Sequence, residues 1–229
     1  MFDPALGRSE AASEFMVDPD RECPLCPRLV GFRDEARAKY PDWHNAPVIS
    51  FGAVDPRLLV IGLAPGLRGA NRTGRPFTGD FAGDLLYGTL ASFGFTRGTY
   101  AESADDGLSL VDCLITNAVR CVPPQNKPTP AEIKTCRSFL AATLASQPQL
   151  RAVVALGRIA HESLIRTLGL KIADFPFAHG REHLLPGNSS RTMTLFDSYH
   201  CSRYNTNTGI LTAEMFQDVF AAARKFIDA

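Results

Sequence analysis

Short apolar runs and longer helical patterns take turns along this chain. Leu58-Leu59-Val60-Ile61 is continuously apolar and ends on Gly62. Three further runs behave alike, at about Cys113–Val119, Ala152–Leu156 and Thr192–Phe196. Runs this short, bounded by glycine or polar residues, predict strands buried on both faces. Between them, apolar residues recur every three or four positions. Leu29, Phe32, Ala36 and Tyr40 share one face of a helix predicted from Leu29 to Tyr40. Further helices are predicted at Ala82–Phe93, from Pro130 to Ala145, from Gly157 to about Leu168, and from Thr212 to Ile227. Pro130 suits a first turn, Gly169 a C-cap and Thr212 an N-cap. Strand and helix alternate four times, which predicts an α/β fold with a mainly parallel, helix-covered sheet of four strands. Residues 1–20 lack this pattern and are expected to form a loose N-terminal arm, leaving 21–229 as a single domain. Residues 171–191 hold proline, glycine, His179 and His183, and are expected to be a long loop with both histidines at its surface.

An open parallel sheet binds its ligands outside the carboxyl ends of its strands. That rule selects residues 62–80, 116–120, 157–158 and 197–207. The first stretch is unusual, with Gly62, Gly66, Gly69, Gly74 and Gly79 interleaved with Arg68, Arg72 and Arg75. It matches neither the dinucleotide fingerprint nor a P-loop, since no Lys-Ser or Lys-Thr follows the glycines. Bare backbone of this kind can approach a ligand closely. Phe77 inside it is either a core plug or a platform on which a planar base stacks. Asp80 either caps the next helix or faces the ligand.

Charge narrows the classes. The 24 basic and 24 acidic side chains cancel, which disfavours a protein that coats nucleic acid by charge alone and leaves room for a local basic face. Asp3, Glu10, Glu14 and Asp18 interrupt the first twenty residues, so no signal-peptide pattern is present, and no apolar run reaches membrane-spanning length. A cytoplasmic location is expected, where the six cysteines would be free, metal-bound or catalytic. Cys23 and Cys26 form a C-x2-C, with Cys121 and Cys136 far along the chain. Four such thiolates can hold zinc or an iron–sulfur cluster. Cys113 reads as a buried hydrophobe. Cys201 and His200, being adjacent, point apart in an extended segment, which argues against a nucleophilic thiol. His200 stands just past a predicted strand in a polar loop, a setting that suits function. Asn117, at another strand end, offers a donor and an acceptor to a base edge.

Several of these segments together resemble one family. Gly62-Leu63-Ala64-Pro65-Gly66, the run from Gly69 to Asp80, Ile115-Thr116-Asn117-Ala118-Val119-Arg120-Cys121-Val122-Pro123-Pro124, and His200-x-Ser202 look like the iron–sulfur uracil-DNA glycosylases, most closely the family-5 branch. The likeness runs from Cys23 to about Asn207. It implies a three-layer α/β/α sandwich and a four-iron, four-sulfur (4Fe-4S) cluster, structural in role, on Cys23, Cys26, Cys121 and Cys136. It implies hydrolysis of the N-glycosidic bond of uracil in DNA, and of other deaminated bases such as hypoxanthine and xanthine. Asp80, His200 and Asn117 would be catalytic. Gly62, Leu63, Ala64, Phe77 and Asn117 would contact the base, and Arg68, Arg72, Arg75 and Ser202 the DNA. Other branches carry an acid or amide where this chain has Leu63, which cannot activate water. The chain also departs in Cys201, between the histidine and the serine. A monomer acting on DNA is expected. The rival readings are a non-catalytic damage binder and a branch that forms a covalent adduct through a histidine; the basic insertion of that branch is missing here.

Overall fold

The fold was obtained as a computed structural model that describes residues 18–186 and 192–229. In chain order its elements are α1 (Pro27–Lys39), β1 (Phe51–Gly52), β2 (Leu58–Gly62), α2 (Ala70–Thr73), α3 (Phe81–Ser92), β3 (Thr96–Arg97), β4 (Ser109–Leu110), β5 (Cys113–Asn117), α4 (Pro130–Ala145), β6 (Ala152–Leu156), α5 (Arg158–Thr167), β7 (Glu182–Pro186), β8 (Thr192–Ser198), α6 (Arg203–Asn207) and α7 (Ala213–Asp228).

The apolar runs became the parallel centre of the sheet. β2 pairs with β5 on one side and β6 on the other, and β6 pairs with β8, all parallel. Alternate residues of each strand face opposite layers. Leu58 and Val60 pack with Leu86, Phe216 and Phe220 from α3 and α7. Leu59 and Ile61 pack with Leu140, Leu144 and Leu164 from α4 and α5. A three-layer sandwich follows, because a strand apolar on both faces needs a cover on each.

The sheet has six strands rather than the expected four, in the order β1-β5-β2-β6-β8-β7. The two additions are antiparallel edges, β1 on β5 and β7 on β8. β7 lies inside the segment expected to be a loop. Its exposed and buried positions alternate strictly, as an edge strand covered on one face requires. One of its two buried positions is His183, so the period-two apolar signal was too weak to read. Most of the expected N-terminal arm lies outside the described residues. Residues 18–20 are placed, and there Asp18 accepts a hydrogen bond from Arg120.

α4 starts with a complete capping box: Thr129 accepts from the Glu132 N–H, and the Glu132 carboxylate accepts from the Thr129 N–H. Beyond β2 the chain moves out to β5, then crosses back to β6 and on to β8. The loops leaving β2 and β6 therefore part in opposite directions, and a crevice opens at their carboxyl ends.

Candidate active site and cysteine pocket

A cleft of about 610 Å³ occupies that crevice. Leu63, Phe77, Asp80, Asn117, His200 and Ser202 all reach it, although they come from three separate stretches: 63–80, the end of β5, and 200–202. Register explains part of this convergence: Gly62 pairs with Asn117 at the ends of adjacent strands. The Gly62 and Leu63 carbonyls accept from the Ala118 and Val119 N–H groups at 2.9 and 3.0 Å, so both loops leave the sheet tied together.

The glycines serve close approach. A Cβ on Gly62 would stand 2.3 Å from Asn117 Oδ1 and 2.6 Å from Phe77 Cζ, and one on Gly69 would stand 2.3 Å from Asp80 Oδ2. Both contacts are shorter than any side chain tolerates, so glycine lets Asn117, Phe77 and Asp80 close on the loop.

Phe77 is a core plug, one of its two expected readings, and stands at the cleft as well. Its φ is +53°, a left-handed conformation costly for a bulky residue. Its carbonyl accepts from Tyr100 Oη at 3.2 Å, and the preceding Pro76 carbonyl accepts from Tyr87 Oη at 2.6 Å. These bonds hold the turn. The Phe77 ring lies 6.1 Å from that of His200, with 28° between the planes.

Asp80 occupies the N-cap position of α3, yet its side chain makes no capping hydrogen bond. Its Oδ1 is buried without a partner. Burial, helped by Asp84, pushes this carboxyl above the ordinary carboxylate range, against nearby backbone N–H groups that pull it down. Burial also pushes the His200 imidazole down, to about 4. The ring is therefore neutral near pH 7 and can donate one hydrogen bond without carrying charge. Asn117 is 3% exposed and points its amide into the cleft.

The approach to His200 is braced from behind. Asp197 is fully buried, and its two carboxylate oxygens meet His161 Nδ1 at 2.7 Å and His183 Nε2 at 3.2 Å. His161 Nε2 also reaches the Phe175 carbonyl at 2.8 Å. This network joins α5, β7 and β8 three residues before His200. His183 is thus no surface residue, contrary to expectation. His179 is half-buried and accepts from the Tyr199 N–H at 3.0 Å. Cys201 is fully buried, with its sulfur against the Ala82 carbonyl, in the role of a core residue.

The arginines divide. Arg68 lines the cleft and is exposed. Arg72 is exposed beside the loop, with its Nε donating to the Arg68 carbonyl at 2.8 Å. Arg75 is 4% exposed and cannot contact DNA, which corrects that expectation. Its guanidinium makes a two-pronged pair with Asp106 at 2.7 and 2.7 Å and sits over the rings of Phe51, Tyr87 and Tyr100. Phe81, Ala82 and Asn126 line the cleft from outside the stretches that the sequence selected, and Arg203 lines it from within 197–207 without having been singled out. Arg203 follows Ser202 directly, so its position was a readable signal. Asn126, inside the proline-rich connection, carried none.

Cys23, Cys26, Cys121 and Cys136 line a second pocket with Leu29 and Val119. Burial first, then Cys136, Cys23 and Cys26, raise the Cys121 thiol to about 12, while Arg33 opposes them. The Arg120 N–H donates to Cys136 Sγ at 3.3 Å. Arg33 is 3% exposed, and its Nε is buried without a partner. Among the described residues, only His161, His183 and Asp197 bring three ligand atoms within 4.8 Å of one another. The four thiols therefore stand wider than ligands of a single tetrahedral ion, whose sulfurs are about 3.8 Å apart at a metal–sulfur distance near 2.3 Å. Wide spacing, an N–H···S bond and a buried guanidinium with one unpartnered N–H fit a larger anionic group.

Comparison with known proteins agrees with this geometry. The family model described as the uracil DNA glycosylase superfamily matches residues 49–224. A type-5 uracil-DNA glycosylase of Thermus thermophilus is 45% identical over 218 residues, covering 93% of this chain and 97% of the relative. One from Mycobacterium bovis is 43% identical over 213 residues, covering 89% and 77%. One from Pyrobaculum aerophilum is 39% identical over 206 residues, covering 88% and 87%.

Proposed function

The chain belongs to the uracil DNA glycosylase superfamily, within its type-5 branch, and from that premise we propose how its cleft works. The protein is a DNA-repair enzyme that hydrolyses the N-glycosidic bond of uracil in DNA and leaves an abasic site. The observation that carries the mechanism is Asp80, a half-buried carboxylate with one buried, unpartnered oxygen at the edge of an aromatic cleft.

The base must first leave the helix, which costs a few kcal/mol and costs least at a mispair. It stacks on Phe77, and Asn117 reads its edge, accepting from the uracil N3–H and donating to O4. Neutral His200 donates to O2. As the C1′–N1 bond breaks, its electron pair moves onto the base and spreads over O2 and O4, where His200 and Asn117 stabilise it. A fixed donor in such a place is worth about 3–4 kcal/mol. The sugar meanwhile becomes cationic beside Asp80. A water oxygen bonds to C1′ and its proton passes to Asp80, whose raised affinity for protons suits it to the task. Leu63 offers the water nothing, so the reaction depends on the leaving group. Hypoxanthine and xanthine, which also leave as stabilised anions, are accordingly further substrates. Arg68, Arg72 and Ser202, joined by Arg203, hold phosphates at the mouth.

Cys23, Cys26, Cys121 and Cys136 would hold a 4Fe-4S cluster, supported by the wide thiol spacing and the unpaired Arg33 Nε. When bound, it supplies a cross-link between α1 and α4 and takes no part in the reaction. No helix among the described residues is long and apolar enough to cross a membrane. We place the enzyme on cytoplasmic DNA as a monomer.

The test is base release from duplexes carrying uracil, hypoxanthine or xanthine. Abasic product from all three supports the full reading, and product from uracil alone removes the broader substrate range. Bound but unaltered DNA would make the protein a damage binder, and an adduct surviving denaturation would make it a covalent trap.

A further inference from the structure

Two helices turn the same stripe of residues into one groove on the far side of α4. Pro130, Ile133, Lys134 and Arg137 follow an i, i+3, i+4, i+7 spacing on α4, and Ile159, Glu162, Ser163 and Arg166 repeat it on α5. The space between them is about 690 Å³. Three cations line it against one carboxylate, Glu162. Elsewhere several arginines pair with a carboxylate: Arg28 with Glu132, Arg75 with Asp106, Arg120 with Asp18. Here, among the described residues, Lys134, Arg137 and Arg166 make no ion pair with Glu162 or any other carboxylate. Arg137 Nε is buried without a partner, and so is the hydroxyl of Ser163, a residue only 2% exposed. Burial and the neighbouring Arg166 charge both weaken the hold of Arg137 on its proton. Two like charges held side by side, with two buried polar atoms unsatisfied, make a site that lacks an anion. A phosphate in the groove can accept from the exposed nitrogens of the Arg137 and Arg166 guanidiniums.

The groove starts where the catalytic cleft ends. Asn126 lines the cleft, and Pro128, two residues on, lines the groove. Ile159 lies two residues past Gly157, where a Cβ would stand 3.5 Å from that of His200. Both helices begin at the carboxyl edge of the sheet and run away from the cleft. Arg137 lies seven residues past the start of α4 and Arg166 eight past the start of α5, about 10 and about 12 Å along the axes at 1.5 Å per residue. We propose that the α4–α5 groove binds a backbone phosphate of the duplex beyond the extruded nucleotide, a second DNA contact separate from the base-binding cleft. The proposal rests on the base-excision reading of that cleft.

The test uses the full chain as purified, wild type against Arg137→Ala/Arg166→Ala. On a long uracil duplex, single-turnover rates are measured against enzyme concentration and salt. The double variant should need about tenfold more enzyme for half-saturation at low salt, with a salt slope smaller by about one to two. Its maximal rate should match wild type. On a uracil oligonucleotide too short to reach the groove, the two proteins should coincide. Arg137→Lys should recover most of the loss. Arg166→Ala alone, which removes one of two repelling charges, should leave the melting temperature unchanged or higher; a fall of many degrees would assign the pair to structure and overturn the proposal. An unchanged half-saturation and slope on the long duplex would also overturn it. So would inorganic phosphate raising the wild-type melting temperature alone while the DNA slope stays the same, since the groove would then serve free phosphate. If wild type releases no base at all, the base-excision reading fails, and the salt slope of duplex binding still judges the groove.

Discussion

Replacing Asp80 by alanine should stabilise the protein while it removes activity. Asp80 is half-buried, its Oδ1 is closed off from solvent without a partner, and its side chain makes no capping bond to the first turn of α3. Its carboxyl binds a proton more tightly folded than unfolded. For such a group stability falls as pH rises through its raised folded-state value. An unsatisfied buried polar atom costs about 1–3 kcal/mol. The side chain borders an open cleft, so alanine leaves little closed cavity. A net gain of about 1 kcal/mol is expected, and in a domain of this size that raises the melting temperature by about 2–4 °C. An ordinary N-cap gives the opposite sign, since its loss costs about 0.5–2 kcal/mol. The assay pairs thermal melting at pH 7 with single-turnover base release, which should slow about 10²- to 10³-fold. A lower melting temperature with an unchanged rate would show a plain cap and refute the reasoning.

Three other outcomes follow from the same geometry. His200 binds its proton less tightly folded than unfolded, so it contributes stability that disappears as pH falls from 6.5 towards 4, a span worth up to about 3 kcal/mol; urea unfolding at pH 7 and pH 4.5 should show the loss in wild type and less of it in His200→Phe. The wild-type rate should show no inflection near pH 6.5, because a neutral His200 is the working form; a rate that needs the imidazolium would contradict this. Arg75→Ala leaves Asp106 buried and unpaired, which should destabilise by about 3–5 kcal/mol in urea titration while the salt slope of DNA binding is unchanged. Gly62→Ala drives a methyl into Asn117 and Phe77, and base release should fall sharply even where circular dichroism shows a native fold.

Periodicity made the centre of this fold legible and its edges obscure. β2, β5, β6 and β8 stood out because strands covered on both faces are apolar throughout. α4 was placed to the residue, since Pro130 and its capping box are local signals. β1 is too short to show a period, and β7 hides a polar His183 at a buried position. Within the cleft, Asp80, Asn117 and His200 were legible because each stands at a strand end or helix start. The fate of Arg75 was not, because its partner Asp106 is 31 residues away and only the folded chain brings them together. The Arg137–Arg166 pair is hidden for the same reason: each looks like an ordinary surface residue of its own helix.

The most direct measurement is single-turnover release of uracil from a duplex at saturating enzyme, for wild type, Asp80→Ala and His200→Ala. Wild type should yield free uracil and an abasic strand, and each variant should be slower by about 10²-fold or more while still binding the duplex. Full rates in both variants would place the chemistry outside the cleft between Phe77, Asp80 and His200.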